Sequence, residues 1–456
     1  MINMTIRKAA EIMKAPSAEL ADIRFDGVTI DSRQSCDGQL FVALKGDNFD
    51  GHRFVQPAWE NGAVAALVET RQACEIPQIE VADCRVAMAL LANDWRHQCA
   101  PRVLSLTGSN GKTTVKEMLH QILAKEASTL ATRGNLNNDI GVPLTLFRLE
   151  PEHQYAIIEM GANHRGEIAN LASIAEPEIV YVNNVAAAHL AGFGDVQGVV
   201  EAKGELYGYC RPEHKALFNA DEVATGYWKG ICAAATTLDC AIDQPADITA
   251  RWQAGETGLK VSFSFQQIQA DCELNVMGEH NARNALAAVS LACLAGVPID
   301  RAAASLAGFS GVKGRLQLMQ GPRHSRLIDD SYNANPNSLE AGIKVVCALE
   351  GSAWLALGDM AELGDDALEH HRKAAEKARE LGVEKMFAFG EMSCEASKLF
   401  ADDGFCFESI EAMADSIANQ IDAGINLLIK GSRSARMDRL VDRLTLTDRE
   451  GKVHAV

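Results

Sequence analysis

The chain has 456 residues, 47% hydrophobic and 23% charged, enough for two to four domains and a large core. Its 61 acidic against 43 basic side chains give a formal charge of −18. That balance excludes a nucleic-acid surface spread over the whole molecule, so recognition of an anion has to be confined to a local basic pocket.

The opening segment MINMTIRKAAEIMKAP lacks a long apolar run, and later apolar runs are broken by Gly, Asn or charge before they reach membrane-spanning length. No export signal or membrane insertion is expected. The twelve cysteines show no C-x-x-C pair and no zinc-type spacing, so they are expected to be reduced core residues of a cytoplasmic protein. Residues 1–83 combine short β-like runs (FDGVTIDSR, QLFVALKG, AVAALVE) with a helical stretch at FVQPAWENGA, which predicts a small α/β unit. Over 84–314, strands such as YAIIEMGA, EIVYVNNV and HKALFNAD alternate with helical segments, the pattern of a mostly parallel sheet covered by helices. A third alternating series fills 315–456, with RLIDDSY, AWLALGD, KMFAFG and NLLIKGS as strands of a Rossmann-like unit. It has no G-x-G-x-x-G after its first strand, so a dinucleotide cofactor is not expected.

The motif that carries chemistry is SLTGSNGKTTV at residues 105–115. The common phosphate loop G-x-x-x-x-G-K-[ST] would place a glycine at Leu106, whereas here the earlier glycine is Gly108. The physical requirement is looser than the pattern. Backbone N–H groups must surround phosphate oxygens at a helix N-terminus, a cation must reach the outer phosphates, and a hydroxyl must hold the metal. Gly108, Ser109, Asn110 and Gly111 supply the loop, Lys112 the cation, and Thr113 the hydroxyl, with Thr114 following. The setting is right, because Val103–Leu106 reads as a buried strand, and Val115, Met118, Leu119 and Ile122 repeat with helical spacing.

Other candidates have both bland and functional readings. Glu159 ends an apolar strand, where ligands of open α/β sheets bind and a Mg²⁺ ligand is well placed, or it is a solvated strand-end charge. His189 follows the next apolar strand in a glycine-containing loop, and Lys203 lies in a probable helix where a lysine ordinarily snorkels to solvent. Asn281 and Asn284 share one helix face and could meet an adenine edge, or Asn281 could cap the helix.

Taken in order, TGSNGKTT, GNLNNDIGVPLTL, IIEMGANHRGEI, AHLAGFG with EAKGELY, GEHNARNALAA, GVKGRLQ, DDSYNANPNS, LGDMAELG and KGSRSARM resemble the Mur ligases, over about Asp31 to Met437. The resemblance implies three domains. The first, 1–83, would bind the UDP end of the precursor; the second, 84–314, would bind ATP; the third, 315–456, would bring the incoming amine and close the active site. In that family the short loop T-G-x-x-G-K-[ST] is the normal form, so Leu106 is no defect.

By the same resemblance, Glu159, His189 and Thr113 would hold Mg²⁺ together with a carbamylated Lys203. Asn281 and Asn284 would lie near adenine, Asp330 near the ribose, and Arg315 at the hinge side of the nucleotide cleft, with Asn333 and Asn335 in the same loop. Ser32 and Arg33 would contact the uridine diphosphate end, and Asn137 and Asn138 the precursor path. Lys430, Ser432 and Arg433 would recognise a dipeptide. The implied reaction is ATP-dependent amide formation between UDP-N-acetylmuramoyl-tripeptide and D-alanyl-D-alanine through an acyl phosphate, by an enzyme expected to be monomeric. A folylpolyglutamate synthase-like ligase fits less well, because the N-terminal DSR and FVALKG blocks and the DDSYNANPNS form speak against it. A nucleotide-dependent switch also fits less well, since no N-K-x-D guanine motif is present.

Overall fold

The computed structural model describes residues 1–17, 22–46, 49–186, 190–255 and 258–446. In the N-terminal segment, four short parallel strands pair in the order Val28–Thr29, Leu40–Val42, Ala65–Val68 and Gln78–Glu80. They are almost continuously apolar because helix Val55–Glu60 packs on one side, burying Phe41, Val55, Ala58, Ala66 and Val68 in one cluster. On the other side a larger core begins at Ile2 and Met4, takes in Leu40, Val42 and Leu67, and continues to Phe147 and Trp228. It therefore crosses position 83. The helix Cys84–Cys99, capped by the Asp83 carboxylate on the Arg85 and Val86 N–H groups, runs through this shared core.

The central sheet has nine strands. Seven run parallel, in the order Thr129–Ala131, Tyr155–Glu159, Arg102–Thr107, Ile179–Val182, Lys215–Asn219, Thr236–Ala241 and Ile248–Ala254. The chain enters at Arg102–Thr107, goes outward to one edge, and later returns to the other side of the same strand. That reversal opens a crevice beyond the carboxyl end of Arg102–Thr107. Strands Leu259–Phe265 and Ile268–Leu274 add an antiparallel meander that the alternating pattern did not predict. The four apolar positions read from helical spacing, Val115, Met118, Leu119 and Ile122, are all buried under helix Glu279–Leu294 and the sheet.

The C-terminal sheet orders its strands as Gln317–Gln320, Arg326–Asp330, Ile425–Lys430, Ser352–Gly358, Val383–Phe389 and Gly404–Phe407. All but the first are parallel, with a core on each face. One expectation fails here. Cys394 and Cys406 form a disulfide, because helix Glu391–Ser397 packs on the edge strand Gly404–Phe407 and brings their Cα atoms to 5.0 Å. Among the described residues, no helix is long and apolar enough to cross a membrane.

Candidate functional site

Strand Arg102–Thr107 ends at the phosphate-loop motif, and the chain turns through Gly108 at φ +147° and Gly111 at φ +77° before helix Lys112–Leu123. Both angles disfavour side chains, and space is short as well. A Cβ on Gly111 would stand 2.4 Å from Asn284 Oδ1 and 2.6 Å from Asn183 Nδ2. No side chain caps the helix, so its first-turn amides are left for a ligand. The Lys112 ammonium curls back, donating to the carbonyls of Gly108 (2.6 Å) and Ser109 (3.2 Å). Burial pushes its pKa down to about 8, with Glu159 opposing and Arg315 reinforcing the shift.

The loop is clamped from the neighbouring strand by Asn183 and Asn184. Asn183 Nδ2 donates to Asn110 O (2.8 Å), Asn184 Nδ2 donates to the same carbonyl (3.1 Å), and Asn110 N donates to Asn184 Oδ1 (2.8 Å). The sequence reading passed over this pair, although two asparagines directly after the apolar run IVYV were the available signal. Asn281 and Asn284 lie behind the loop and are buried. Asn284 Oδ1 accepts from Asn183 Nδ2 (3.2 Å), Asn284 Nδ2 reaches Asn281 Oδ1 (3.3 Å), and Asn281 Nδ2 donates to Met277 O (2.8 Å). Their amides brace the loop in this arrangement, and Asn281 is not the cap of its helix, since Gly278 holds that position.

In front of the loop is a cavity of about 630 Å³. Its wall brings together Ser109, Asn110, Gly111, Lys112, Asn137, Asn138, Glu159, Lys203, Arg315, Asn333 and Asn335 from distant parts of the sequence. Arg85, Arg165 and Tyr332, which sequence reading missed, also line it. Its cationic side chains are Arg85, Lys112, Arg165, Lys203 and Arg315, against the carboxylates Asp139, Glu159 and Glu167. An acidic chain thus carries a locally positive pocket, suited to an anionic ligand.

Glu159 is not a solvated strand end, because it is 2% exposed. Its N–H donates to Thr132 Oγ1 (3.0 Å), Oε1 accepts from Asn137 Nδ2 (2.8 Å), and Oε2 is buried without a hydrogen-bond partner. A buried, unpartnered carboxylate oxygen is costly unless something positive meets it. This buried carboxylate fits a hard cation such as Mg²⁺, and Thr113, which is not on the cavity wall, follows Lys112 at the start of the adjacent helix. Among the described residues no group of three His, Cys, Asp or Glu side chains could hold a metal unaided, so bound phosphate and water would complete its shell. His189 lies outside the described residues.

Lys203 does not snorkel. It is 2% exposed on helix Val196–Gly208, with its nitrogen 5.6 Å from the Phe193 ring centroid. Among the described residues no carboxylate pairs with it. Burial, then the charge of Lys112, pushes its pKa down to about 7.

The C-terminal unit meets the loop directly: Asn335 Nδ2 donates to Asn110 Oδ1 (2.9 Å) while Asn335 Oδ1 caps helix Pro336–Cys347. Asp330 and Lys430 do not face the cavity. They are buried and paired with each other, and Lys430 Nζ also donates to Asn333 O (3.0 Å), fixing the loop that carries Asn333 and Asn335. Ser432 is likewise buried, its Oγ donating to Asp359 O (2.5 Å). Arg433 is not on the cavity wall, but its guanidinium lies 5.7 Å from the ring centroid of Tyr332, which Arg315 approaches to 4.1 Å. Ser32 and Arg33 are outside the cavity wall. Arg33 instead forms a two-pronged pair with Asp31, which holds that carboxyl down to about 2.

Comparison with known proteins gives the family. The Mur ligase middle domain matches residues 106–292, the Mur ligase glutamate ligase domain 314–433, and the Mur ligase family catalytic domain 24–96. UDP-N-acetylmuramoyl-tripeptide--D-alanyl-D-alanine ligase of Escherichia coli K12 is 40% identical over 452 residues, covering 97% of this chain and 99% of its own. The Bacillus subtilis protein of the same name is 30% identical, again covering 97% and 99%. Among solved structures, MurF from Acinetobacter baumannii superposes with a TM-score of 0.90 at 34% identity, covering 97% and 99%. MurF ligase from Thermotoga maritima in complex with ADP gives 0.81 at 25% identity, covering 92% and 96%. Matched along nearly its whole length by such relatives and by three domain models of one family, the chain belongs to the Mur ligase family.

Proposed function

We propose that this chain joins D-alanyl-D-alanine to UDP-N-acetylmuramoyl-tripeptide at the expense of ATP, giving the pentapeptide precursor of peptidoglycan, ADP and phosphate. The observation that carries the reading is the positive cavity in which the phosphate loop, Glu159 and the Asn333–Asn335 loop converge. The relatives of the same name, aligned end to end, supply the substrates.

The tripeptide carboxylate is a poor acyl donor, so it first attacks the γ-phosphorus of ATP, forming an acyl phosphate as ADP leaves. The dipeptide amine then attacks the acyl carbon, phosphate departs, and the amine gives up a proton. Residues 108–114 hold the ATP phosphates by backbone N–H groups and the helix N-terminus. Lys112 leaves its loop carbonyls to neutralise the transferring group. Thr113 and Glu159, with His189, would hold Mg²⁺, which when bound spreads the negative charge of the phosphates. No covalent nucleophile is needed from the protein, because positioning supplies much of the rate. Arg315, Tyr332 and Arg433 form the face offered to the amine substrate, with Asp330, Lys430 and Ser432 holding that face in place. Asn281 and Asn284 act on the nucleotide through the loop they brace. Asn137 and Asn138 guide the precursor, and Ser32 and Arg33 serve its uridine diphosphate end. Residues 1–83, 84–314 and 315–456 divide the work into precursor, ATP and amine binding.

Lys203 is the site of a further proposed feature, carbamylation. Its amine lines the cavity, and burial holds its pKa down to about 7, which favours the neutral amine that carbamylation needs. Addition of the neutral amine to CO₂, with loss of a proton, would give an anionic oxygen donor where a bare ammonium would repel the metal. ¹³C-bicarbonate NMR of the active enzyme should show a carbamate resonance that is absent in Lys203→Met. For the reaction itself, phosphate release from ATP should require both the UDP-linked tripeptide and D-alanyl-D-alanine, with the pentapeptide seen by mass spectrometry. Release that is independent of the dipeptide would refute the assignment.

A further inference from the structure

We propose that Lys116 is a positioning residue that sets the Glu159 carboxylate in register with the phosphate loop. The inference rests on the reading of Glu159 as a metal ligand. Lys116 lies four residues after Lys112, on the same face of helix Lys112–Leu123, yet its side chain has no exposure to solvent. Its ammonium donates to the Thr132 carbonyl (2.5 Å) and faces Glu117 Oε1 (2.7 Å), a carboxylate that itself reaches solvent. Burying a lysine in this way is expensive, and an apolar side chain of similar volume would pack the same space more favourably. The ammonium therefore needs a reason beyond packing.

Thr132 supplies the reason. It follows the three-residue edge strand Thr129–Ala131, and its N–H still donates to the Ile157 carbonyl of the neighbouring strand (3.0 Å). Its Oγ1 accepts the N–H of Glu159 (3.0 Å). Glu159 is the last residue of its strand, so this bond to Thr132 fixes its backbone just where the side chain turns toward the cavity. A short path thus runs from the helix that opens with Lys112 and Thr113, through Lys116 and Thr132, to the carboxylate with the unpartnered Oε2. The loop and the acid follow strands that pair directly, with Glu159 opposite Leu106, and Lys116 adds a second tie to that pairing from the helix that the loop opens.

The test is Mn²⁺ binding in the presence of ADP, followed by electron paramagnetic resonance on the intact protein, alongside thermal melting. Lys116→Met is expected to raise the Mn²⁺ dissociation constant about 10-fold and to raise the metal concentration needed for half-maximal turnover similarly. The KM for D-alanyl-D-alanine should not move. Thr132→Val should reproduce the effect, Thr132→Ser should restore it, and Lys116→Met with Thr132→Val should together weaken binding by less than the product of the two. Unchanged Mn²⁺ affinity in Lys116→Met overturns the proposal whatever the melting temperature does. Should that variant fail to fold, unchanged affinity in Thr132→Val does the same. Glu159→Gln separates the two layers: if it leaves affinity unchanged, the metal reading falls and this inference with it. If it weakens affinity and Lys116→Met does not, only the role of Lys116 is wrong.

Discussion

Removing one member of the Asp330–Lys430 pair should damage the C-terminal unit far more than removing both. The side chains are 8% and 2% exposed, so Lys430→Met leaves a carboxylate buried among apolar strands without its counter-charge. Loss of one partner of a buried pair costs about 3–5 kcal/mol. The lost bond to the Asn333 carbonyl adds about 1 kcal/mol. Lys430→Met combined with Asp330→Leu removes both charges and should recover most of that loss, giving a coupling of roughly 3 kcal/mol. The assay is native-state hydrogen exchange in increasing urea, read on peptides spanning Arg326–Asp330 and Ile425–Lys430, which pair in the sheet. If Lys430→Met costs under about 1 kcal/mol, or the double variant is worse than the single one, the pair does not hold the Asn333–Asn335 loop as argued.

Lys112→Ala should lower kcat by about 10²-fold or more with the fold intact, since it deletes a preorganised charge at the transferring phosphate. Near wild-type turnover would remove Lys112 from the mechanism. Gly111→Ala should destabilise by about 2–4 kcal/mol, as a left-handed alanine is strained and the added methyl breaks the Asn183–Asn284 contact. An unaltered urea midpoint would contradict it. For Lys203 in CO₂-free, unloaded protein, the folded pKa of about 7 lies below the ordinary 10.5, so between these values the unfolded chain binds the extra proton. Stability should therefore rise with pH above 7, by up to roughly 1.4 kcal/mol per unit, and Lys203→Met should flatten that slope. Equal slopes in the two proteins would show that the ammonium is not buried as described.

Much of the site is written in local order along the chain. A strand, a glycine turn and a helix are fixed by residues close in sequence, so neighbouring residues alone suffice to place GSNGKTT at a helix N-terminus after a glycine turn and to name the apolar face of that helix. The three alternating series and the strand-end position of Glu159 are legible for the same reason. Tertiary structure decided what depends on partners distant in the chain. Periodicity gives the face of Lys203 and Lys116 but not what packs over them, and both lysines proved buried, where an isolated helix would leave them solvated. The pairing of Asp330 with Lys430, the amide chain from Asn281 to Asn110, the Cys394–Cys406 bridge and the core that crosses residue 83 likewise join groups that only the folded sheets bring together. Burial and charge pairing arise from the summed packing of many segments. They give polar side chains such as Asn284 and Lys430 partners within the fold that neighbouring residues in the sequence do not reveal.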